Sequence, residues 1–372
     1  MKAVAVFPNQ RRFDVISHPE PTRTSPTQVK IRMLEVGICG TDKEIVAFEY
    51  GTPPDGSEYL VIGHESLGEV VETGEKVTRL KKGDLAVLTV RRPCRHPECV
   101  ACRAGRQDFC YTGDFTERGI KQIHGYMTEL VVEEERYVSA VPHELRNVAV
   151  LVEPLTIAEK AITQLWEVQR RLPWAVPLEP GEPPGHAHKA VVLGAGPVGL
   201  LGAMKLVLEG FQTTVYSKTR AGDRVAELVG SIGAKFVHAE TTSVADLAAQ
   251  TGNIDVVYEA VGASSLAFEV IEHLGTNGVF IFTGVPGRKA PISVDTDRIM
   301  RDAVLKNQMI FGTVNAPAES FADAIRDLGQ FHTRWPDAVR SIITNRGPID
   351  RVGEPLSGKL GGIKNVVAIA GE

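Results

Sequence analysis

Apolar positions change their period along this chain, and the change divides it in two. Up to about residue 150 they fall in short runs broken by turn residues, as in Val29-Lys30-Ile31-Arg32-Met33, Gly68-Glu69-Val70-Val71 and Leu85-Ala86-Val87-Leu88. Runs of this kind predict strands, and hence a β-rich domain. From Lys189 to about Thr313, apolar runs alternate with helical spacing. Strands are expected at Ala190–Leu193, Thr213–Ser217, Lys235–His238, Ile254–Tyr258, Val279–Thr283 and Met309–Thr313. Helices are expected at Pro197–Glu209 and Asp223–Ile232, each closed by a glycine. Repeated strand–helix units with wholly apolar strands predict a parallel, doubly wound α/β sheet. Leu172–His188, rich in Pro and Gly, reads as a linker or surface excursion. Beyond Pro317 one amphipathic helix, Ser320–Leu328, precedes further strand-like pieces.

At 372 residues the chain exceeds one ordinary domain of about 100–200 residues, so two domains are expected. The net charge is −5 and no dense basic block is present, so nothing recommends nucleic acid or an acidic membrane surface as a partner. A small molecule fits better. Met1-Lys2-Ala3-Val4-Ala5-Val6 reads as a strand, not as a signal peptide, and a cytoplasmic location is expected. Ala190–Leu208 is almost wholly apolar, but its glycines mark a strand turning into a helix and not a membrane span. Five cysteines, in a reducing compartment, point to metal ligands before disulfides.

Gly194-Ala195-Gly196-Pro197-Val198-Gly199 lies between an expected strand and an expected helix, where such a loop lets a pyrophosphate approach the backbone at the helix N-terminus. About 20 residues further on, an NAD site would offer Asp or Glu. Ser217, Lys218 and Arg220 stand there instead and suit a 2′-phosphate, so NADP is expected and NAD remains possible. The same two cations also read as ordinary solvated charges. Cys94-x4-Cys99-x2-Cys102-x7-Cys110 has the character of a tetrathiolate zinc clip. Cys39 and His64 prove little singly, since a lone Cys or His most often belongs to the core. Their settings, Cys39-Gly40-Thr41-Asp42 and Gly63-His64-Glu65, place them beside polar groups a catalytic metal needs. Asp42 could orient His64, Thr41 could relay a proton, and Glu153 is the candidate third ligand.

Taken in order, these features resemble the zinc-containing medium-chain alcohol dehydrogenases, and among them the glucose 1-dehydrogenases. GICGTDKEIV, LVIGHE, VRRPC, CRAGRQDFC, TGDFTERGI with HGYM, and EPLTIAEKA carry the likeness. The resemblance implies a Rossmann domain over residues 158–313. It also implies a β-rich, GroES-like catalytic domain over 1–157, with a structural zinc lobe near 90–112, completed by 314–372. The active site would lie in the cleft between them. Cys39, His64 and Glu153 would hold a catalytic zinc that Glu65 can join or leave, and the four clip cysteines a structural zinc. Thr41, Glu117, Glu153 and Asn315 would meet the sugar. Val90, Ile157 and Leu305 stand where some relatives carry polar residues, and the first clip spacing is wider than the commoner x2. The implied reaction oxidises the C1 hydroxyl of glucose to a lactone, in a homodimer or homotetramer built by joining nucleotide-domain sheets, and the fewer polar residues at positions 90, 157 and 305 lead to the expectation that galactose is tolerated as well. A zinc-dependent polyol, threonine or alcohol dehydrogenase is the near alternative. A non-catalytic NADPH-binding protein is the distant one.

Overall fold

A computed structural model describes residues 1–174, 181–219, 222–287 and 291–369; Arg220 lies outside them. The chain divides into two compact units, Met1–Thr156 with Asn315–Thr333 and Ile343–Glu372, and Ile157–Val314 with Arg334–Ile342.

The first unit is built around the strand Gln28–Gly37, whose alternate residues Val29, Ile31 and Met33 are wholly buried. Period-two burial is what a strand with one face on a core requires. Each such side chain contributes about 1.5–3 kcal/mol of hydrophobic stabilisation. The sheet runs Val138–Val141, Leu85–Leu88, Glu65–Thr73, Gln28–Gly37, Lys364–Ala368, Ile343–Pro348, and Leu130–Glu134 also pairs with Gln28–Gly37. Glu65–Thr73 and the late strand Lys364–Ala368 thus flank one central strand, with Gly37 opposite Glu65 on one side and Val366 on the other. Residues from the far end of the chain thereby arrive beside the Gly63-His64-Glu65 segment. A smaller sheet joins Arg12–Ser17, Lys2–Phe7 and Leu60–Val61.

The second unit holds a six-stranded parallel sheet, ordered Lys235–His238, Gln212–Ser217, Lys189–Leu193, Val256–Glu259, Val279–Phe282, Met309–Gly312. In chain order that is the 3-2-1-4-5-6 arrangement of a dinucleotide-binding sheet, whose direction of winding reverses beside Lys189–Leu193. The apolar stretch after Lys189 is broken as its glycines imply, into that strand and the helix Pro197–Leu208. No helix among the described residues is long and apolar enough to cross a membrane.

Two elements differ from the sequence reading. The helix expected at Ser320–Leu328 runs from Ala318 to Arg334, because Phe331 continues the buried stripe of Phe321, Ala324 and Leu328 past Gly329. A helical glycine costs only about 1 kcal/mol, and the buried phenylalanine offsets it. The expected return of 314–372 to the first unit is also interrupted. Arg334–Ile342 groups with the second unit, where the helix Pro336–Ile342 buries Ala338, Val339 and Ile342 and packs on the helix Gly222–Ser231.

Candidate active site

Cys39 precedes the short helix Gly40–Val46, and Asp42 in its first turn folds its carboxylate back to accept from the Cys39 N–H at 2.9 Å. The other Asp42 oxygen accepts from the Gly63 N–H at 3.2 Å and lies 3.5 Å from His64 Nδ1. One wholly buried carboxylate therefore ties together two segments that are distant in sequence. Gly63 has φ +89°, and a Cβ there would lie 2.5 Å from Met127 Cγ. A Cβ on Gly119 or on Gly125 would come within 2.4 Å of the Gly63 carbonyl oxygen. Three stretches of backbone meet next to His64 because none carries a side chain at the meeting point.

Donor atoms on Cys39, His64 and Glu65 all lie within 4.8 Å of one another. His64 and Glu65 are buried, Cys39 and Thr41 half-buried, and Thr41 Oγ1 stands 3.9 Å from Cys39 Sγ. Thiolate, imidazole and carboxylate are the donor types zinc prefers. Burial opposes a charged imidazole at His64, yet Asp42 and Cys39 hold its pKa well above the ordinary value, so a metal entering here displaces a proton. Glu153, in the first turn of the helix Val152–Gln169, is outside this mutually close set. It is near enough to feel the site. Burial pushes its carboxyl pKa up to about 7, with His64 and Lys364 opposing the rise and Glu65 and Asp42 adding to it.

The residue that sequence reasoning missed is Lys364. Its Nζ donates to both Glu65 oxygens at 2.6 Å and to the Ile38 carbonyl at 3.1 Å, and both side chains are all but inaccessible. Gly37 leaves the room for this pair: a Cβ there would fall 2.0 Å from Glu65 Oε2. Nothing local in the sequence distinguishes a lysine that heads an apolar strand when its partner is 299 residues away.

Glu117 and Asn315 meet. Asn315, with φ +59°, donates from Nδ2 to Glu117 Oε1 at 3.0 Å. The same oxygen accepts from Arg91 Nε at 3.0 Å and lies 2.9 Å from Nη2. Arg91 and Glu117 are directly opposite in the pairing of Arg91–Arg92 with Thr116–Arg118. Val90 is buried next to them, whereas Leu305 is exposed on the helix Thr296–Leu305 alongside Met300 and Val304.

The four clip cysteines gather with their sulfurs within 4.8 Å of one another, and Cys99 Sγ to Cys110 Sγ is 3.9 Å. A tetrahedral Zn–S distance of about 2.3 Å places sulfurs roughly 3.8 Å apart, so zinc fits. A disulfide, at about 2.05 Å, does not. The wider x4 spacing is absorbed by Pro97 and Glu98 in the turn before Cys99. His96 turns instead to Asp114 and to Glu98.

In the second unit each glycine of the loop has its own part. Gly194 takes φ +101°, and a Cβ on Gly199 would lie 2.3 Å from the Gly194 carbonyl oxygen, so the third glycine is needed for packing. A Cβ on Gly196, which caps the helix starting Pro197-Val198, would meet nothing within 4 Å. That empty, exposed approach to a helix N-terminus is the fit a pyrophosphate requires. At the end of the neighbouring strand Ser217 Oγ and Thr219 Oγ1 are 2.8 Å apart, and Lys218 is exposed.

Two family models match the chain: the alcohol dehydrogenase GroES-like domain over residues 25–143 and the glucose dehydrogenase C-terminus over residues 146–369. The glucose 1-dehydrogenase of Methanocella arvoryzae is 37% identical over 369 residues, 99% of each chain. That of Thermoproteus tenax is 37% identical over 361 residues, 95% of each. Among solved structures, Haloferax mediterranei glucose dehydrogenase in complex with NADP, Zn and gluconolactone matches with a TM-score of 0.87 at 29% identity, covering all of both chains. The 2R,3R-butanediol dehydrogenase of Bacillus subtilis, at 24% identity and a TM-score of 0.75 over 99% of each chain, shares the fold. With one family model spanning residues 146–369 and relatives this similar along the whole length, the chain belongs to the glucose dehydrogenase family of zinc-containing medium-chain dehydrogenases.

Proposed function

We propose that this protein is a zinc-dependent glucose 1-dehydrogenase, oxidising the C1 hydroxyl of D-glucose to the lactone with reduction of NADP. The observation that carries the reading is the joint presence of a Cys39–His64–Glu65 donor set and a Glu117–Asn315 pair in a chain whose full-length relatives are glucose 1-dehydrogenases. Two zinc ions per chain are assigned, one to the clip and one to Cys39 and His64 with Glu153 and Glu65.

Zinc when bound supplies the Lewis acidity that lowers the pKa of the substrate hydroxyl, and NADP supplies the hydride acceptor. The chain's own residues do the rest. Thr41, half-exposed beside Cys39, takes the proton of the C1 hydroxyl and hands it to solvent. Glu117 and Asn315 hold sugar hydroxyls, and Glu153 adds a further carboxylate toward the substrate. Asp42 keeps Cys39 and His64 in place, and Lys364 holds the Glu65 charge when that carboxylate is not on the metal. Gly194, Gly196, Pro197, Val198 and Gly199 receive the pyrophosphate, and Ser217 and Lys218 the ribose phosphate, with Arg220 assigned there from sequence. Apolar Val90 beside Glu117 leaves one hydrogen-bonding position unfilled, which favours tolerance of galactose.

A homo-oligomer fits the second unit, whose edge strand Met309–Gly312 and neighbouring helix expose Met300, Val304, Leu305, Met309 and Ile310. A cytoplasmic location fits five free cysteines. An aldose panel run with NADP and with NAD, before and after chelation, tests the assignment. Glucose oxidation lost on chelation and restored by zinc is expected. Turnover of ethanol, threonine or sorbitol with none of aldose would overturn it, and so would zinc in the clip alone.

A further inference from the structure

Arg91 is buried to 7% exposure, and a guanidinium cannot shed its charge, so its donors call for acceptors. The contacts run in two directions. Nε and Nη2 go to Glu117 Oε1, at 3.0 and 2.9 Å. Nη1 points the other way, to the carbonyls of Asp108 at 3.3 Å and Gln107 at 3.5 Å. The Phe115 ring covers the flat face, 3.7 Å from Cζ to its centroid. Gln107–Phe109 is a single 3₁₀ turn between Cys102 and Cys110, and the Gln107 carbonyl also accepts from the Cys110 N–H at 3.1 Å. A continuous hydrogen-bonded path therefore runs from a half-buried clip cysteine, Cys110, through one carbonyl and one guanidinium, to the carboxylate that Asn315 shares.

At the far end of the path, Glu117 Oε1 is saturated by Arg91 and Asn315. Oε2 takes no hydrogen bond from any described residue. The arrangement fixes the carboxylate with one oxygen spent and the other presented. Fixing it in advance spares the ligand the cost of ordering it.

We propose that the cysteine lobe positions the sugar-binding carboxylate, with Arg91 as the positioning residue, so that metal in the lobe tightens aldose binding. The inference rests on the reading of Glu117 as a sugar contact. The lobe is too polar to hold itself together by burial, and metal supplies its folding energy. Without it the 107–109 turn loses its anchor at Cys110, Arg91 loses two acceptors, and Glu117 is no longer pinned. On this account the clip does more than stabilise: it sets substrate affinity from outside the reacting centre.

Arg91→Lys in the holoenzyme keeps the charge but cannot span both sets of acceptors. It is expected to raise the glucose KM about tenfold or more, the scale of a lost charged hydrogen bond. The KM for NADP and the two zincs per chain should stay as in wild type, and kcat should change less than KM. Cys110→Ser, which empties the lobe, should raise the glucose KM similarly, and the double variant should add little, the mark of coupled sites. Amide hydrogen exchange over residues 106–111 should slow when glucose and NADPH are added to wild type and not when they are added to Arg91→Lys. This readout stands even if Cys110→Ser fails to fold. A wild-type glucose KM in Arg91→Lys, effects that multiply in the double variant, or an exchange response that Arg91→Lys retains would each overturn the coupling. Glu117→Gln separates the two readings. If it too leaves the glucose KM unchanged, the sugar contact itself is wrong; if it raises KM while Arg91→Lys does not, only the lobe's part falls.

Discussion

Replacing Lys364 by Met leaves the Glu65 carboxylate buried and unpaired. The side chains are 2% and 1% exposed, so solvent cannot screen the orphaned charge. Lys364 Nζ makes two contacts of 2.6 Å with Glu65 and one of 3.1 Å with the Ile38 carbonyl, and all three vanish together. Breaking a buried pair by removing one partner costs about 3–5 kcal/mol. For a unit of this size that lowers the midpoint by roughly 6–20 °C. The assay is scanning calorimetry on protein stripped of the catalytic zinc, where Glu65 has no metal to turn to. Tryptophan fluorescence is unsuitable, because Trp166, Trp174 and Trp335 all belong to the second unit. Glu65→Gln combined with Lys364→Met removes both charges, and the double variant should recover at least half of the loss. A Lys364→Met protein that melts with wild type would refute the reasoning. A double variant no more stable than the single one would do the same, because the loss would then not come from an unpaired charge.

Three further expectations follow from single distances. Gly196 has φ −76° and ψ 179°, open to any residue, and its Cβ would touch nothing, so Gly196→Val should melt like wild type yet bind NADP at least about tenfold more weakly, by loss of charged hydrogen bonds to backbone N–H groups; unchanged affinity by titration calorimetry would remove the pyrophosphate from this loop. Gly125→Ala puts a Cβ 2.4 Å from the Gly63 carbonyl oxygen, and should cost about 1–3 kcal/mol and reduce zinc retention at His64, checked by melting and metal analysis. His124 Nδ1 accepts from the Val61 N–H at 3.1 Å, a bond that protonation abolishes. Burial first, then His18 and Arg118, push its pKa down to about 4. Because the folded value is depressed below about 6.5, the folded state holds fewer protons than the unfolded one. Its stabilising contribution is present above about pH 6.5 and fades toward pH 4. His124→Asn, whose Oδ1 replaces Nδ1 as acceptor, should lose less stability across that window; parallel pH profiles would count against the assignment.

What could be read from the sequence is what depends on neighbours in the chain. The glycine loop is legible because turn, approach and packing are each properties of one glycine within six residues, and the clip because its cysteines are close enough to gather without long-range help. The alternation of strands and helices after Lys189 is equally local. Pairs made by folding are not legible in this way. Arg91 and Arg92 stand in a segment dense with charge, yet both are buried, Arg92 against Glu133 and Tyr126 as Arg91 is against Glu117. Lys364 depends on a strand pairing that no periodicity announces. The helix Ala318–Arg334 outruns the expected Ser320–Leu328 because Phe331, past Gly329, has a buried place to reach. Arg334–Ile342 joins the second unit through a contact face that its seven-residue helix is too brief to advertise.

The central claim is that hydride leaves C1 of an aldose for the cofactor. Glucose carrying deuterium at C1, turned over with NADP and the zinc-loaded protein, tests it in one measurement by mass spectrometry of both products. The account predicts NADPH that carries the deuterium and a lactone that has lost it. NADPH without deuterium, or a sugar product that keeps it at C1, would contradict the account.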